Sequence, residues 1–149
     1  MVAAGSRHKA RVAALQALYE SDTSDHTALA ALKHIVSRER LTKDAAAFAE
    51  DLIMGVREKQ DEIDAIIAKA APAWPVEQLA AVDRNIMRLA IRELLGDNGT
   101  PDRVVINEAV ELAKSFGSDT SARFVNGVLG TVQRRLEETH GDPSLAGRG

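Results

Sequence analysis

Four closely spaced side chains near the N-terminus could together bind a negatively charged polymer. They are Arg7, His8, Lys9 and Arg11. Apolar spacing in the residues that follow places them at the start of a helix, where positive charge opposes the helix dipole by about 0.3–1 kcal/mol per charge at low salt. A phosphate backbone would favour such a cluster, because each neutralised phosphate releases counterions. The pattern alone fits an RNA contact and a solvated terminus equally well.

A second candidate is the polar break at Gly117–Ser121, between the last two predicted helices. It places Asp119 and Thr120 just before Arg123 and Phe124, so a helix N-terminus, a cation and a flat ring lie close together. Such a set can hold unstacked bases and phosphates. The alternative is a capping loop with Phe124 in the core, which is where large apolar side chains usually lie. A single continuous RNA surface would require the basic start of the first helix to pack beside this loop.

No combination of residues in the sequence is typical of a catalytic or metal site. The histidines His8, His26, His34 and His140 form no HExxH pair, and none has a further ligand at a metal-like spacing. The nucleophile-elbow, phosphate-loop and dinucleotide-binding motifs do not occur. We therefore expect a protein without catalytic activity, metal or cofactor.

The composition is that of an ordinary globular protein with few aromatic residues. Its 149 residues fit one domain better than two, and an aromatic share of 3% means that the core is built from Ala, Leu, Ile and Val. The net charge of −3 restricts any nucleic-acid contact to a local patch, and the acidic remainder suits a basic protein partner. The sequence has no cysteine, no signal-peptide pattern and no apolar run near the roughly 20 residues that span a bilayer, so we expect a cytoplasmic protein.

Apolar residues recur at three- and four-residue spacings along most of the chain, and no strand pattern occurs. This predicts an all-α single domain of about six or seven helices. The domain is expected over residues 6–138, with flexible tails at 1–5 and 141–149. The predicted helix starts are Ser6, His26, Thr42, Asp61, Asp83, Pro101 and Thr120 or Ser121. The segment from Asp61 either continues the preceding helix or forms a separate one.

Several single positions carry specific structural predictions. Trp74 stands between two prolines and is expected to anchor the packing, while Gly55 inside a helix indicates a close helix contact. Gly117 is expected to end its helix in a left-handed conformation. Phe116 shares an apolar face with Leu112, which predicts that it is buried.

Three segments carry recognisable motifs in a fixed order: RHKARVAALQALYE, VDRNIMRLAIRELL and VVINEAVELAKSFGSDTSARFVNGVLG. From about Ser6 to Leu136 the sequence resembles the NusB family of bacterial transcription antitermination factors. The resemblance implies two packed helical bundles. It implies a non-catalytic factor that binds boxA-type single-stranded RNA together with NusE, a small-subunit ribosomal protein. The resulting complex would join RNA polymerase and promote processive transcription of ribosomal RNA operons, with no cofactor.

The resemblance also implies which residues form the RNA-binding surface. They are Arg7, His8, Lys9 and Arg11 at the basic helix start, Tyr19 of the ALY motif, Arg88 of the MRLA motif, and Asp119, Thr120, Arg123 and Phe124 at the last bend. For Arg88 an internal ion pair is an equally good interpretation. Two positions depart from the family pattern. His8 stands where arginine is common, so a contact there would depend on pH, and Thr120 stands where some relatives carry an acid.

NusE is expected near Glu77, Asp83 and Arg84, at the entry to the central helix. Two other functions fit the sequence less well. A protein-only scaffold would bind partners without the basic helix start. A fragment related to RNA methyltransferases, some of which carry a NusB-like domain, would need a cofactor-binding domain for which this chain has no room. The oligomeric state is open, because some family members form a homodimer that hides the RNA surface and others are monomers.

Overall fold

The computed structural model describes residues 4–96 and 98–141. Within these ranges the chain forms seven α-helices and no strand, so the predicted all-α class is confirmed. The helices are α1 (Ala4–Thr23), α2 (Ala28–Glu39), α3 (Lys43–Glu58), α4 (Gln60–Ala70), α5 (Ala81–Leu95), α6 (Asp102–Phe116) and α7 (Ser121–Gly141). A short 3₁₀ helix, Val76–Gln78, lies between α4 and α5. Of the predicted tails, residues 1–3 and 142–149 lie outside the described residues, and residues 4, 5 and 141 belong to helices.

The helices form two packed bundles. In the first, α1 packs against α2 and α3, and in the second, α5, α6 and α7 pack against one another with α4 alongside. The two bundles meet where α5 contacts α1 and α3. Residues Asn85–Ile91 of α5 are all buried, as expected for a central helix. Each large apolar side chain buried there contributes about 1.5–3 kcal/mol.

Small side chains allow α1 to lie close to its neighbours. Four alanines of α1 are almost fully buried: Ala10, Ala13, Ala14 and Ala17. Because alanine is the best helix former and has no bulk beyond Cβ, this face stabilises the helix and permits close approach of its neighbours. Leu15 and Leu18 provide the larger apolar contacts. The start of α1 is thereby fixed against the rest of the fold, which positions its cations.

Threonine side chains begin the second and third helices. The Thr42 hydroxyl accepts a hydrogen bond from the Ala45 N–H at 3.1 Å, which confirms the predicted N-cap of α3. The Thr27 hydroxyl does the same for the Ala30 N–H, so α2 begins at Ala28, two residues after the predicted start. Such caps contribute about 0.5–2 kcal/mol each. The sequence left open whether the segment from Asp61 continues the preceding helix. In the structure it belongs to a separate helix, α4.

Two glycines lie where another residue comes close to the backbone. At Gly55 a Cβ atom would overlap the Arg92 side chain, which confirms the predicted close contact. Gly117 ends α6 with φ −95° and ψ −168°, so the predicted left-handed conformation is wrong. A Cβ at Gly117 would instead lie 2.5 Å from Ser121 Cβ and 2.8 Å from the Ala113 carbonyl oxygen. The bend between α6 and α7 is too tight for a larger residue.

Two further predictions are corrected. Trp74 is 57% exposed and does not anchor the core. Asp83 does not cap α5, because the helix begins at Ala81 and Asp83 lies in its first turn. Its carboxylate there is favourably placed against the helix dipole. None of the helices in the described part of the chain is both long and apolar enough to cross a membrane.

Candidate nucleic-acid interface

Arg7 binds the segment that precedes α6. Its Nη1 donates to Thr100 Oγ1 at 2.7 Å, and its Nη2 donates to the Asn98 carbonyl oxygen at 3.2 Å. The guanidinium also lies 5.0 Å from the centre of the Phe48 ring, within the range of a cation–π interaction. Arg7 is half-buried, so part of its charge is already matched inside the protein.

Arg11 lies deeper in the same cluster. Only 4% of this residue is exposed, and its guanidinium donates two hydrogen bonds to the Glu93 carboxylate, at 2.8 Å and 2.7 Å. It lies 5.4 Å from the centre of the Phe48 ring, next to Arg7. The RNA contact predicted for Arg11 therefore stays a prediction, and it would require a buried ion pair to open.

The exposed side chains at the start of α1 are those of His8 and Lys9. His8 Nδ1 lies 2.9 Å from Glu108 Oε2 of α6, and the two form an ion pair when the imidazole is protonated. Lys9 is exposed to solvent. Of the four predicted cations, Lys9 is the one that is exposed and has no carboxylate partner among the described residues.

Farther along α1, Tyr19 shares an open cleft with Phe116 of α6. Tyr19 is 43% exposed and Phe116 is 40% exposed. Tyr19 follows His8 by eleven residues, a rise of about 16 Å along α1. His8 and Tyr19 thus mark the two ends of a strip where α1 lies beside α6. We name this strip, formed by His8, Lys9, Tyr19 and Phe116, the α1–α6 surface.

Phe116 is the residue that the sequence pattern placed wrongly. Its three- and four-residue spacing predicted a buried side chain, but it is the last residue of α6, directly before Gly117. An apolar side chain in the last turn can extend beyond the neighbouring helices, so its spacing alone does not bury it. The signal that could have identified it is this position next to the predicted bend.

The bend itself is held by short polar side chains. The Ser118 N–H donates to Ser121 Oγ at 2.9 Å, and Ser121 is the first residue of α7. Asp119, Thr120 and Arg123 are exposed, as an RNA contact would need. Phe124 is partly buried against the core, which is closer to the alternative of a packing role.

The basic helix start and the bend do not pack side by side, contrary to the expectation. Arg7 contacts Asn98 and Thr100, which precede α6, whereas the bend follows the other end of that helix. The 15 residues of α6 separate the two places by about 22 Å. The α1–α6 surface lies between them.

Arg88 forms the internal ion pair that the sequence left as an alternative. It is 6% exposed, and its Nε and Nη2 donate to the Asp64 carboxylate at 2.8 Å and 2.9 Å. Asp22, at the end of α1, lies 3.7 Å from Arg88 Nη1 and accepts a hydrogen bond from Asn85 at 2.9 Å. This network joins α1, α4 and α5. An RNA contact by Arg88 is untested.

The residues predicted to bind a protein partner differ in their surroundings. Glu77 is exposed, and Asp83 is partly buried. Arg84 donates to the Leu79 carbonyl oxygen at 3.2 Å and to the Asp22 carboxylate at 3.4 Å, so it fixes the entry to α5. An open groove beside them is lined by several carboxylates: Asp22, Asp61, Asp64 and Glu77. We name it the acid-lined groove.

The described residues contain no candidate metal site. Among residues 4–96 and 98–141, no three acidic or histidine side chains are close enough to hold a metal ion together.

Comparison with known proteins covers almost the whole chain. The NusB family model matches residues 8–134. The transcription antitermination protein NusB of Dehalococcoides mccartyi is 48% identical over 134 residues, which cover 90% of this chain and 94% of that protein. The protein of the same name from Chloroflexus aggregans is 49% identical over 134 residues, which cover 89% of each chain.

Solved structures agree with the sequence comparison. The structure of T. maritima NusB superposes with a TM-score of 0.80 at 35% identity and covers 86% of this chain and 90% of that one. A chain in the crystal structure of antitermination factors NusB and NusE in complex with dsRNA gives a TM-score of 0.81 at 28% identity and covers 89% and 99%. The protein therefore belongs to the NusB family of transcription antitermination factors, which are not enzymes.

Proposed function

We propose that this chain binds boxA-type single-stranded RNA together with NusE in the cytoplasm. The complex joins RNA polymerase and promotes processive transcription of ribosomal RNA operons. Residues 6–138 act as a single RNA-binding domain. The family membership supports the role in antitermination, and the solved complex of NusB, NusE and dsRNA supports the choice of partners.

The observation that carries the proposal is the α1–α6 surface. It combines the exposed positive charge of Lys9 and the exposed imidazole of His8 with exposed rings at Tyr19 and Phe116. Positive side chains bind the phosphate backbone, and aromatic rings stack on bases. Bases are accessible to such rings only where they are unpaired, which favours single-stranded over double-stranded RNA.

The bend at Asp119, Thr120 and Arg123 extends this surface beyond Phe116. The exposed Arg123 lies in the first turn of α7, where the helix N-terminus also favours an anion. A strand that follows α1 from Lys9 past Phe116 would reach this cation. Arg7 and Arg11 support the surface by fixing the start of α1 to the loop before α6 and to α5.

The acid-lined groove is the place where we expect NusE. Its carboxylates Asp61 and Glu77, unlike Asp64, pair with no cation among the described residues and suit a partner rich in lysine and arginine, as ribosomal proteins are. Glu77 is exposed at the centre of a short 3₁₀ helix and is available for an intermolecular pair. Because Arg84 already donates to three backbone carbonyl groups and to Asp22, we propose that it stabilises the edge of this groove.

Fluorescence anisotropy with labelled RNA tests the proposal. The protein is titrated against boxA RNA, a scrambled strand of the same composition and a duplex of the boxA strand, each with and without NusE. We expect the tightest binding for the single boxA strand with NusE. Equal affinity for boxA and scrambled RNA in the presence of NusE would overturn the proposal, and stronger binding of the duplex would overturn its preference for single strands.

A further inference from the structure

The open cleft at the C-terminal half of α1 has the features of a base-binding site. Tyr19 and Phe116 present exposed rings to it, and Gln16, Glu20 and Thr23 add polar groups. The rings come from two different helices, α1 and α6. Exposed aromatic rings are groups on which unpaired bases stack.

The charge within the cleft excludes a phosphate. Glu20 is the one charged side chain among the described residues that line it. A carboxylate repels a phosphate group, so the backbone of a bound strand must remain outside the cleft. The positive charge of Lys9 and the exposed imidazole of His8 lie nearer the other end of α1. A strand held there by its phosphates can direct a base into the cleft.

We propose that this cleft binds one unstacked RNA base that carries an exocyclic amino group, with Phe116 and Tyr19 as its stacking residues. The inference rests on the proposed RNA-binding function and names the chemistry that one part of that surface recognises. Glu20 is the residue that selects the base. Its Oε2 lies 3.0 Å from His26 Nδ1 and its Oε1 accepts no hydrogen bond from the described residues, so Oε1 can accept one from an amino group. Uracil presents carbonyl oxygens on either side of its N–H and is disfavoured by the same carboxylate.

A guanidinium from a protein partner is the alternative occupant, since arginine also stacks on rings and pairs with a carboxylate. Two observations favour the base. The cleft lies farther along the exposed side of α1 from Lys9, whose positive charge suits a polyanion. The acid-lined groove, where a basic protein is expected, is lined by a different set of carboxylates.

The test uses Phe116→Leu, which keeps an apolar side chain but removes the ring. It is measured against boxA RNA and against a series of the same RNA with one abasic site at each position in turn. We expect Phe116→Leu to weaken binding of the intact RNA by about 5- to 150-fold. At the position whose base enters the cleft, the abasic site should weaken wild-type binding by a similar factor and have little further effect on the variant. Equal, additive losses at every position would overturn the proposal.

The control is Trp74→Leu, which removes an exposed ring from another part of the surface. It should bind all RNAs like the wild type. Circular dichroism and urea unfolding establish that both variants are folded. If Phe116→Leu is folded and binds RNA as Trp74→Leu does, the proposal is wrong.

Glu20→Gln tests the choice of base. At the position identified by the abasic series, the wild type should prefer an amino-bearing base to uracil by about tenfold, and the variant should lose this preference. Binding of NusE without RNA should be unchanged in both Phe116→Leu and Glu20→Gln. A loss of NusE binding would show that the cleft holds a protein side chain instead.

The two hypotheses fail in distinguishable ways. If the wild type binds RNA without preference for boxA, the proposed function is wrong. The abasic series on the scrambled strand then still tests whether the cleft binds a base. If the wild type prefers boxA with NusE and Phe116→Leu does so equally well, only the cleft proposal is wrong. If the protein binds no RNA, both are wrong.

Discussion

Arg11 donates two hydrogen bonds to Glu93 across the contact between α1 and α5, from Nε to Oε2 at 2.8 Å and from Nη2 to Oε1 at 2.7 Å. Both residues are buried, and Asn98 Nδ2 donates a further hydrogen bond to Glu93 Oε1 at 2.9 Å. A bidentate pair of this kind fixes orientation as well as distance. Arg11, one of the cations at the basic start of α1, therefore stabilises the contact between the two bundles.

Glu93→Ala should destabilise the protein by about 3–5 kcal/mol, because it leaves the Arg11 guanidinium buried without its carboxylate. Equilibrium unfolding in urea, followed by circular dichroism, measures the change in the free energy of unfolding. The matched control is Arg38→Ala, which removes one partner of the exposed pair Arg38–Glu39. That variant should change stability by no more than about 1 kcal/mol. Similar effects of the two variants would show that burial does not strengthen the Arg11–Glu93 pair.

Lys9→Ala should weaken RNA binding without affecting stability, because Lys9 is exposed to solvent. Loss of one phosphate contact on a single strand should reduce the slope of log affinity against log salt by about 0.7. Arg123→Ala should give a loss of similar size if the strand reaches the bend. Titrations at four or more salt concentrations measure the slopes.

Lys33→Ala is the control for both variants, since Lys33 is exposed on α2, away from the α1–α6 surface. It should leave the slope as in the wild type. An unchanged slope in Lys9→Ala would remove the start of α1 from the RNA surface, and an unchanged slope in Arg123→Ala would end that surface before the bend.

Gly117→Ala should destabilise the protein by about 1–3 kcal/mol, because the new Cβ would overlap Ser121 and the Ala113 carbonyl oxygen. Gly127→Ala is the matched control inside α7, where nothing lies within 4 Å of an added Cβ. It should stabilise the protein by up to about 1 kcal/mol, since alanine is the better helix former. Urea unfolding of the two variants provides the comparison. If Gly117→Ala leaves stability unchanged or raises it, the bend is not sterically tight.

Apolar spacing and capping residues were enough to predict the helices. The Thr42 cap of α3 and the buried face of α5 follow from local sequence, because both depend on residues within a few positions of one another. The tight bend after α6 was also predicted, but the reason for its glycine was not. A glycine is needed at position 117 because Ser121 packs against it, and this contact exists only in the folded protein.

The roles of the charged residues could not be predicted, because their partners are distant in the sequence. Glu93 is 82 residues from Arg11, and Asp64 is 24 residues from Arg88. Neither pairing leaves a periodic signal, and an arginine looks the same in a sequence whether it binds a phosphate or a buried carboxylate. The exposure of Phe116 was missed for a related reason, since spacing identifies a helix face but not where its neighbours end.

Glu77→Lys should slow the association of NusE, because it replaces an exposed carboxylate of the acid-lined groove by a charge that repels a basic partner. The effect should be largest at low salt, as charge reversal mainly alters electrostatic steering. Stopped-flow or surface plasmon resonance measures the association rate at several salt concentrations. Glu50→Lys, an exposed reversal on α3, is the control for net charge. If both variants slow association equally, only the overall charge of the protein matters and NusE does not bind at the groove.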